Sequence, residues 1–144
     1  MNSTIVIFPG TNREHDMVMA VEQASGKKPN FVWYNDTNFP KTDLIIVPGG
    51  FSYGDYLRCG AMAAKSPAMN SVLEYASKGV PILGVCNGFQ ILCETGLLPG
   101  ILLRNKSTKF VCKNQILKVC NTNTPFSKLY NVNEKVDFPI AHHD

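Results

Sequence analysis

The sequence predicts an open, doubly wound α/β domain with a mostly parallel sheet, and three observations carry that expectation. Short apolar runs rich in β-branched residues recur along the first hundred residues. Segments with helical spacing separate them, and glycine or Pro-Gly punctuates their ends. Strands alternating with single helices define βαβ units, whose crossovers place helices on both faces of a parallel sheet.

The elements follow in order. Thr4-Ile5-Val6-Ile7-Phe8 is a continuous apolar run stopped by Pro9-Gly10, as expected of a strand buried on both faces. Between Arg13 and Ser25 the apolar residues Met17, Ala20, Val21 and Ala24 share helical spacing, and Gly26 supplies a stop. Phe31 to Tyr34 and Asp43 to Val47 read as two further strands, the second ended by Pro48-Gly49-Gly50. Ser66-Pro67 opens a helix, with a hydroxyl for the cap and a proline where no N–H is needed. That helix turns Met69, Val72, Leu73 and Ala76 inward and stops at Gly79. Val80 to Val85 is a fourth strand, and Gly88 to Thr95 a helix closed by Gly96.

After Gly100 the pattern changes. Lys109 to Lys113 and Ile116 to Val119, around Asn114-Gln115, suggest a hairpin or edge strands, and Val136 to Ile140 a last strand. Residues 1–144 are read as a single domain, long enough to bury its own core.

Composition narrows the function classes. With 44% hydrophobic and 17% charged residues the chain is neither disordered nor a solvated charged rod. The net charge of +3 comes from scattered basic residues with no run of three, which gives a nucleic-acid footprint little support, and no nucleic-acid partner is expected. No apolar run approaches the ~20 residues of a membrane span, and no signal peptide opens the chain, so a cytoplasmic protein is expected. Five cysteines without a CxxC, and three histidines remote from any cysteine pair, predict neither a disulfide framework nor a metal site.

One cysteine stands apart. Gly84-Val85-Cys86-Asn87-Gly88 lies where a buried strand turns directly into a helix. A G-x-nucleophile-x-G sequence in that place is an elbow, holding the nucleophile on a strained backbone at the carboxyl edge of a central strand. Glycines two residues to either side are needed because a Cβ would strike the turn, and the helix N-terminus favours negative charge on the sulfur. Acyl chemistry at Cys86 would need an oxyanion site. The N–H of Asn87 is one candidate donor, and the Gly49-Gly50-Phe51 backbone after the third strand offers the second, from Gly50 or Phe51. The alternative for Cys86 is a buried structural thiol.

The segment Gly84 to Gln90 resembles the nucleophile motif of the class I, triad-type glutamine amidotransferases, a flavodoxin-like fold. Pro48-Gly49-Gly50-Phe51-Ser52-Tyr53-Gly54-Asp55-Tyr56-Leu57-Arg58, with Gly96 to Gly100 and Leu103-Arg104-Asn105, is similar to the glutaminase-subunit family of the phosphoribosylformylglycinamidine synthases. Phe8 to Asn12 and Pro139-Ile140-Ala141-His142 extend the resemblance along nearly the whole chain. It implies that Cys86 attacks the side-chain amide of glutamine and forms a γ-glutamyl thioester. Gly50 or Phe51 and Asn87 would bind the oxyanion, and Gln90 would line the glutamine pocket. The implied partners are a large ATP-dependent synthetase subunit, which uses the ATP and magnesium, and a small bridging subunit; this subunit itself needs no cofactor.

Two readings compete with that one. A DJ-1/PfpI-like hydrolase or sensor shares the cysteine elbow, but Gln90 and the Gly49 to Asp55 string oppose it. A catalytically incomplete binding module is the other, because the family's His-x-Glu pair occurs nowhere in the sequence. The resemblance therefore implies a C-terminally incomplete domain. Neither His142 nor His143 is promoted to the missing base, His15 is read as a surface residue, and Asp55 and Arg58 stay outside the catalytic set.

Overall fold

A computed structural model describes all 144 residues. Residues Met1–Leu102 and Leu103–Asp144 form two compact units. In the first, four parallel strands, β1 (Ser3–Ile7), β2 (Asn30–Trp33), β3 (Leu44–Val47) and β4 (Ile82–Gly84), line up in the order β2-β1-β3-β4. Register is set by pairs such as Ile5 with Phe31, Ile5 with Ile46, and Ile46 with Leu83.

The strand period of two sorts the apolar residues onto opposite faces. Val6, Ile45 and Val47 point to one face, where Phe8, Ala68, Met69 and Val72 join Ile91 and Leu92 in the larger core. Ile5 and Ile46 point to the other, against Val21 of α1 (Glu14–Ser25), with Met17 and Val18 beside it. The first face is covered by α2 (Pro67–Ser77) and α3 (Asn87–Glu94), the second by α1. The doubly wound expectation is met.

Local signals read from the sequence act as expected at both helix ends tested. The Ser66 hydroxyl accepts the Met69 N–H at 3.4 Å with Pro67 in the first turn. Gly26 takes a left-handed conformation, and its N–H reaches the Glu22 carbonyl at 2.8 Å.

Three expectations are corrected, and one connection that the sequence left open is described. Ala20 and Ala24 are exposed; the buried stripe of α1 runs through Met17, Val18 and Val21, which carry more apolar surface than a methyl group. No helix joins β2 to β3: residues 34–43 return as an irregular segment, held by the Tyr75 hydroxyl on the Pro40 carbonyl (3.1 Å) and by Phe39 against the Tyr75 ring. The elbow follows an edge strand of the four-stranded sheet, because β4 has β3 as its one neighbour. Finally, of the hairpin and the edge strands offered for this region, the strand alternative holds, and Asn114-Gln115 is not a turn.

In the second unit β5 (Val111–Lys118) runs straight through that dipeptide and pairs antiparallel with β6 (Lys135–His142). Asn114 stands opposite Pro139 and gives its side-chain amide to Asp137 at 3.3 Å, so a polar residue here marks a solvated ribbon face rather than a bend. Asn105 fastens the ribbon's end, donating from its side chain to the His142 carbonyl and from its N–H to the His143 carbonyl, both at 3.0 Å.

Candidate active site

Ligand sites in doubly wound sheets form at the carboxyl edge where successive crossovers leave in opposite directions. In the first unit that point lies between β1, which feeds α1, and β3, which feeds α2 on the other face. The loops leaving these strands are joined. Phe51 N–H donates to the Gly10 carbonyl at 3.0 Å, Tyr53 N–H to Pro9 at 2.7 Å, and the N–H groups of Asn12 and Arg13 to Gly49 at 3.3 Å. Gly50 sits at φ +149°, and a Cβ there would lie 2.6 Å from the Gly10 oxygen, so only glycine admits this approach.

The elbow stands beside them. Val85 N–H donates to the Val47 carbonyl at 3.0 Å, after which the chain turns at Cys86, with φ 52° and ψ −112°. Cys86 is exposed and immediately precedes α3. The flanking glycines are explained atom by atom. A Cβ on Gly88 would run into the Val47 carbonyl, and one on Gly84 would meet Leu92 Cδ1 at 2.6 Å and the Gly88 oxygen at 2.8 Å. A Cβ added to Gly49 would come 3.3 Å from that of Cys86, which places the thiol residue directly against the glycine loop.

The Gly50 and Phe51 N–H groups differ in their partners. The Phe51 N–H is already given to Gly10, whereas the N–H groups of Gly50 and of Asn87, first residue of α3, have no protein acceptor. Unengaged backbone donors in the segments around an exposed thiol are groups of the kind that stabilise an oxyanion.

Asn87 and Gln90 are buried, at 2% and 9% exposure, and they touch each other. Asn87 Oδ1 accepts the Ser52 N–H at 3.1 Å, while its Nδ2 donates to Asp55 Oδ1 at 3.2 Å and to Gln90 Oε1 at 2.9 Å. Ser52 and Asp55 were not singled out together with Asn87 from the sequence, since no local pattern announces a bond across 35 residues. Arg58 grips Glu94 of α3 through two bonds, at 2.9 and 2.7 Å. These bonds hold the Glu94 carboxyl below its ordinary range; Cys93 beside it is pushed up, first by burial and then by that charge. His15 is exposed, and His142 and His143 belong to the second unit.

The geometry and the matches to known proteins agree on the class. A family model of the CobB/CobQ-like glutamine amidotransferase domain matches residues 1–144, and the chain belongs to that family. Among individual relatives, it is 57% identical over 143 residues to the phosphoribosylformylglycinamidine synthase subunit PurQ of Rhodopseudomonas palustris, covering 99% of this chain and 61% of that one. The corresponding subunit of Mesorhizobium japonicum is 55% identical over 144 residues, 100% of this chain and 65% of the relative. A solved structure described as PurLQS from Thermotoga maritima superposes with a TM-score of 0.89 at 44% identity, covering 99% of this chain and 66% of that chain. The chain thus spans somewhat under two thirds of the length of these relatives.

Proposed function

We propose that this chain carries the nucleophile and oxyanion site for glutamine hydrolysis in a phosphoribosylformylglycinamidine synthase, whose ammonia passes to an ATP-dependent synthetase subunit in purine biosynthesis. The observation that carries the proposal is the exposed Cys86 at a left-handed elbow, with the unengaged Gly50 and Asn87 N–H groups beside it. The 52–57% identity to PurQ subunits supports the particular synthase.

In this reading Cys86 Sγ attacks the carboxamide carbon of glutamine. The Gly50 and Asn87 N–H groups hold the developing oxyanion, the C–N bond breaks, and ammonia leaves with a proton. Water then cleaves the thioester, releasing glutamate and restoring the thiol. A base must take the thiol proton and hand it to the leaving ammonia. The family's His-x-Glu pair, which would do this, does not occur among the 144 residues, and the roles given to Cys86, Gly50, Asn87 and Gln90 stand apart from it. Phe51 contributes its backbone to the loop joint rather than to the oxyanion.

The partners in this proposal are the large synthetase subunit, with its ATP and magnesium, and the small bridging subunit. No helix is long and apolar enough to cross a membrane, and we place the reaction in the cytoplasm. The test, in a full-length protein that carries this segment together with the His-x-Glu pair, is glutamine-dependent against ammonia-dependent product formation on mixing with both partner subunits. Cys86→Ala should abolish the first and spare the second. Glutamine-dependent synthesis that survives Cys86→Ala would overturn the proposal.

A further inference from the structure

We propose that Asp55 is a positioning residue for the oxyanion site: its carboxyl fixes the Asn87 side-chain amide, which in turn holds the loop of Gly50 against the start of α3. This rests on the glutamine-hydrolysis reading, in which the Gly50 and Asn87 N–H groups are the two oxyanion donors.

Those donors come from distant parts of the chain, so something must set their separation. The segment after β3 is pinned to the loop after β1 through its backbone. The Gly49 carbonyl accepts the Asn12 and Arg13 N–H groups at 3.3 Å, and Phe51 N–H donates to the Gly10 carbonyl at 3.0 Å. Across a trans peptide the N–H points away from the C=O, so the Gly50 N–H faces away from the β1 loop. A further contact runs to α3 instead. Ser52 N–H donates to Asn87 Oδ1 at 3.1 Å, and the receiving side chain belongs to the residue whose own N–H is the second donor.

That contact lasts only while the Asn87 amide turns its oxygen to Ser52. On the opposite side, Asn87 Nδ2 donates to Asp55 Oδ1 at 3.2 Å and to Gln90 Oε1 at 2.9 Å. The Gln90 carboxamide can turn end for end and imposes no polarity, whereas the Asp55 carboxylate accepts from either oxygen. Asp55 is therefore the group that locks the amide from its NH2 side. It does so from a backbone at φ 56°, in a loop where Tyr53 and Leu57 are also left-handed. Such conformations persist where the surroundings over-determine them, and here the carboxyl reaches across 32 residues to α3.

The test uses a full-length protein that carries this segment together with the His-x-Glu pair, assembled with both partner subunits. Asp55→Ala removes the acceptor, while Asp55→Asn keeps one in its side-chain oxygen. Misplaced oxyanion donors slow the acyl step without weakening substrate binding. Asp55→Ala should therefore lower kcat for glutamine hydrolysis about tenfold or more, with KM within about twofold of the parent. Alkylation of Cys86 by iodoacetamide builds no oxyanion, and its rate should match the parent's. Asp55→Asn should retain most of the parent's kcat. Four results would each overturn the inference: an unchanged kcat in Asp55→Ala, a rise in KM alone, an alkylation rate that falls with kcat, or an Asp55→Asn as slow as Asp55→Ala.

If Asp55→Ala does not fold, the reversed pair carries the test. Asn87→Asp sets two carboxyls against each other and should be slow. Adding Asp55→Asn lets residue 55 donate to residue 87, whose other oxygen still accepts the Ser52 N–H while Gln90 turns its amide. Recovery of kcat over Asn87→Asp supports the positioning role, and no recovery overturns it. Glutamine hydrolysis that survives Cys86→Ala would instead overturn the reading of the site beneath it.

Discussion

Arg58 and Glu94 are bound by two parallel contacts across 36 residues, tying the end of the loop after β3 to the last turn of α3. The loop needs such a tether, because Tyr53, Gly54, Asp55 and Leu57 all hold positive φ. Glu94 is largely covered, and its carboxyl lies below the usual range through the Arg58 hydrogen bonds. A depressed carboxyl stabilises the fold above its unfolded value of about 4.3, and that contribution fades as pH falls through the lower folded value. Chymotrypsin cleavage after the exposed Tyr56 and Leu57 should therefore be slow at neutral pH, where the tether is intact. In Arg58→Ala it should be fast at neutral pH. Equal cleavage rates in the two proteins at pH 7 would refute the tether.

Thiol labelling should rank the cysteines by surroundings. Cys59 is buried, and the half-buried Cys93 has its thiol pushed up, so both should resist alkylation in the native state. Cys86, Cys112 and Cys120 are exposed and should all react with iodoacetamide. The glutamine-like chloro-ketone should single out Cys86, and excess glutamine should slow it. Comparable labelling of Cys112 by the chloro-ketone would mean that no pocket surrounds the elbow.

Gly88→Ala drives a Cβ into the Val47 carbonyl, a backbone atom that cannot swing aside. The expected loss is about 3 kcal/mol or more, together with loss of selective Cys86 labelling. Chemical denaturation measures the first quantity. A loss under about 0.5 kcal/mol, the scale of a surface substitution, would show that the elbow relaxes freely.

The corrected face of α1 makes a paired prediction. Ala20→Lys, on the exposed side, should change stability by no more than about 0.5 kcal/mol. Val21→Ala, at the buried position of the same helix, should cost about 1–3 kcal/mol. If the lysine proved the worse of the two, the helix would face the sheet as the alanine spacing suggested.

That alanine spacing shows where sequence reading succeeds and fails. Val, Ile and Leu runs identified β1, β3 and β4 because a parallel strand with helices on both faces needs apolar side chains on both. Ala20 and Ala24 misled because a methyl group is at home on either side of a helix. Asn114-Gln115 resembled a turn, yet a two-stranded ribbon leaves polar side chains in water without breaking the ladder. At the site, Cys86 and its glycines were legible since steric necessity is local. The competition of Gly10 for the Phe51 N–H, and the bonds of Asn87 to Ser52, Asp55 and Gln90, join segments far apart in the chain and leave no local pattern.

The backbone angles of Cys86 imply a conflict between chemistry and thermodynamic fitness at one residue. An L-amino acid at φ 52° and ψ −112° carries a penalty of about 1–3 kcal/mol that glycine escapes. Cys86→Gly should therefore melt at a higher temperature than both the parent chain and Cys86→Ala, although it forfeits the nucleophile. A lineage released from the need for the thiol would gain stability by discarding it. A cysteine at so unfavourable a backbone position fits the proposed need for its thiol rather than any need of stability.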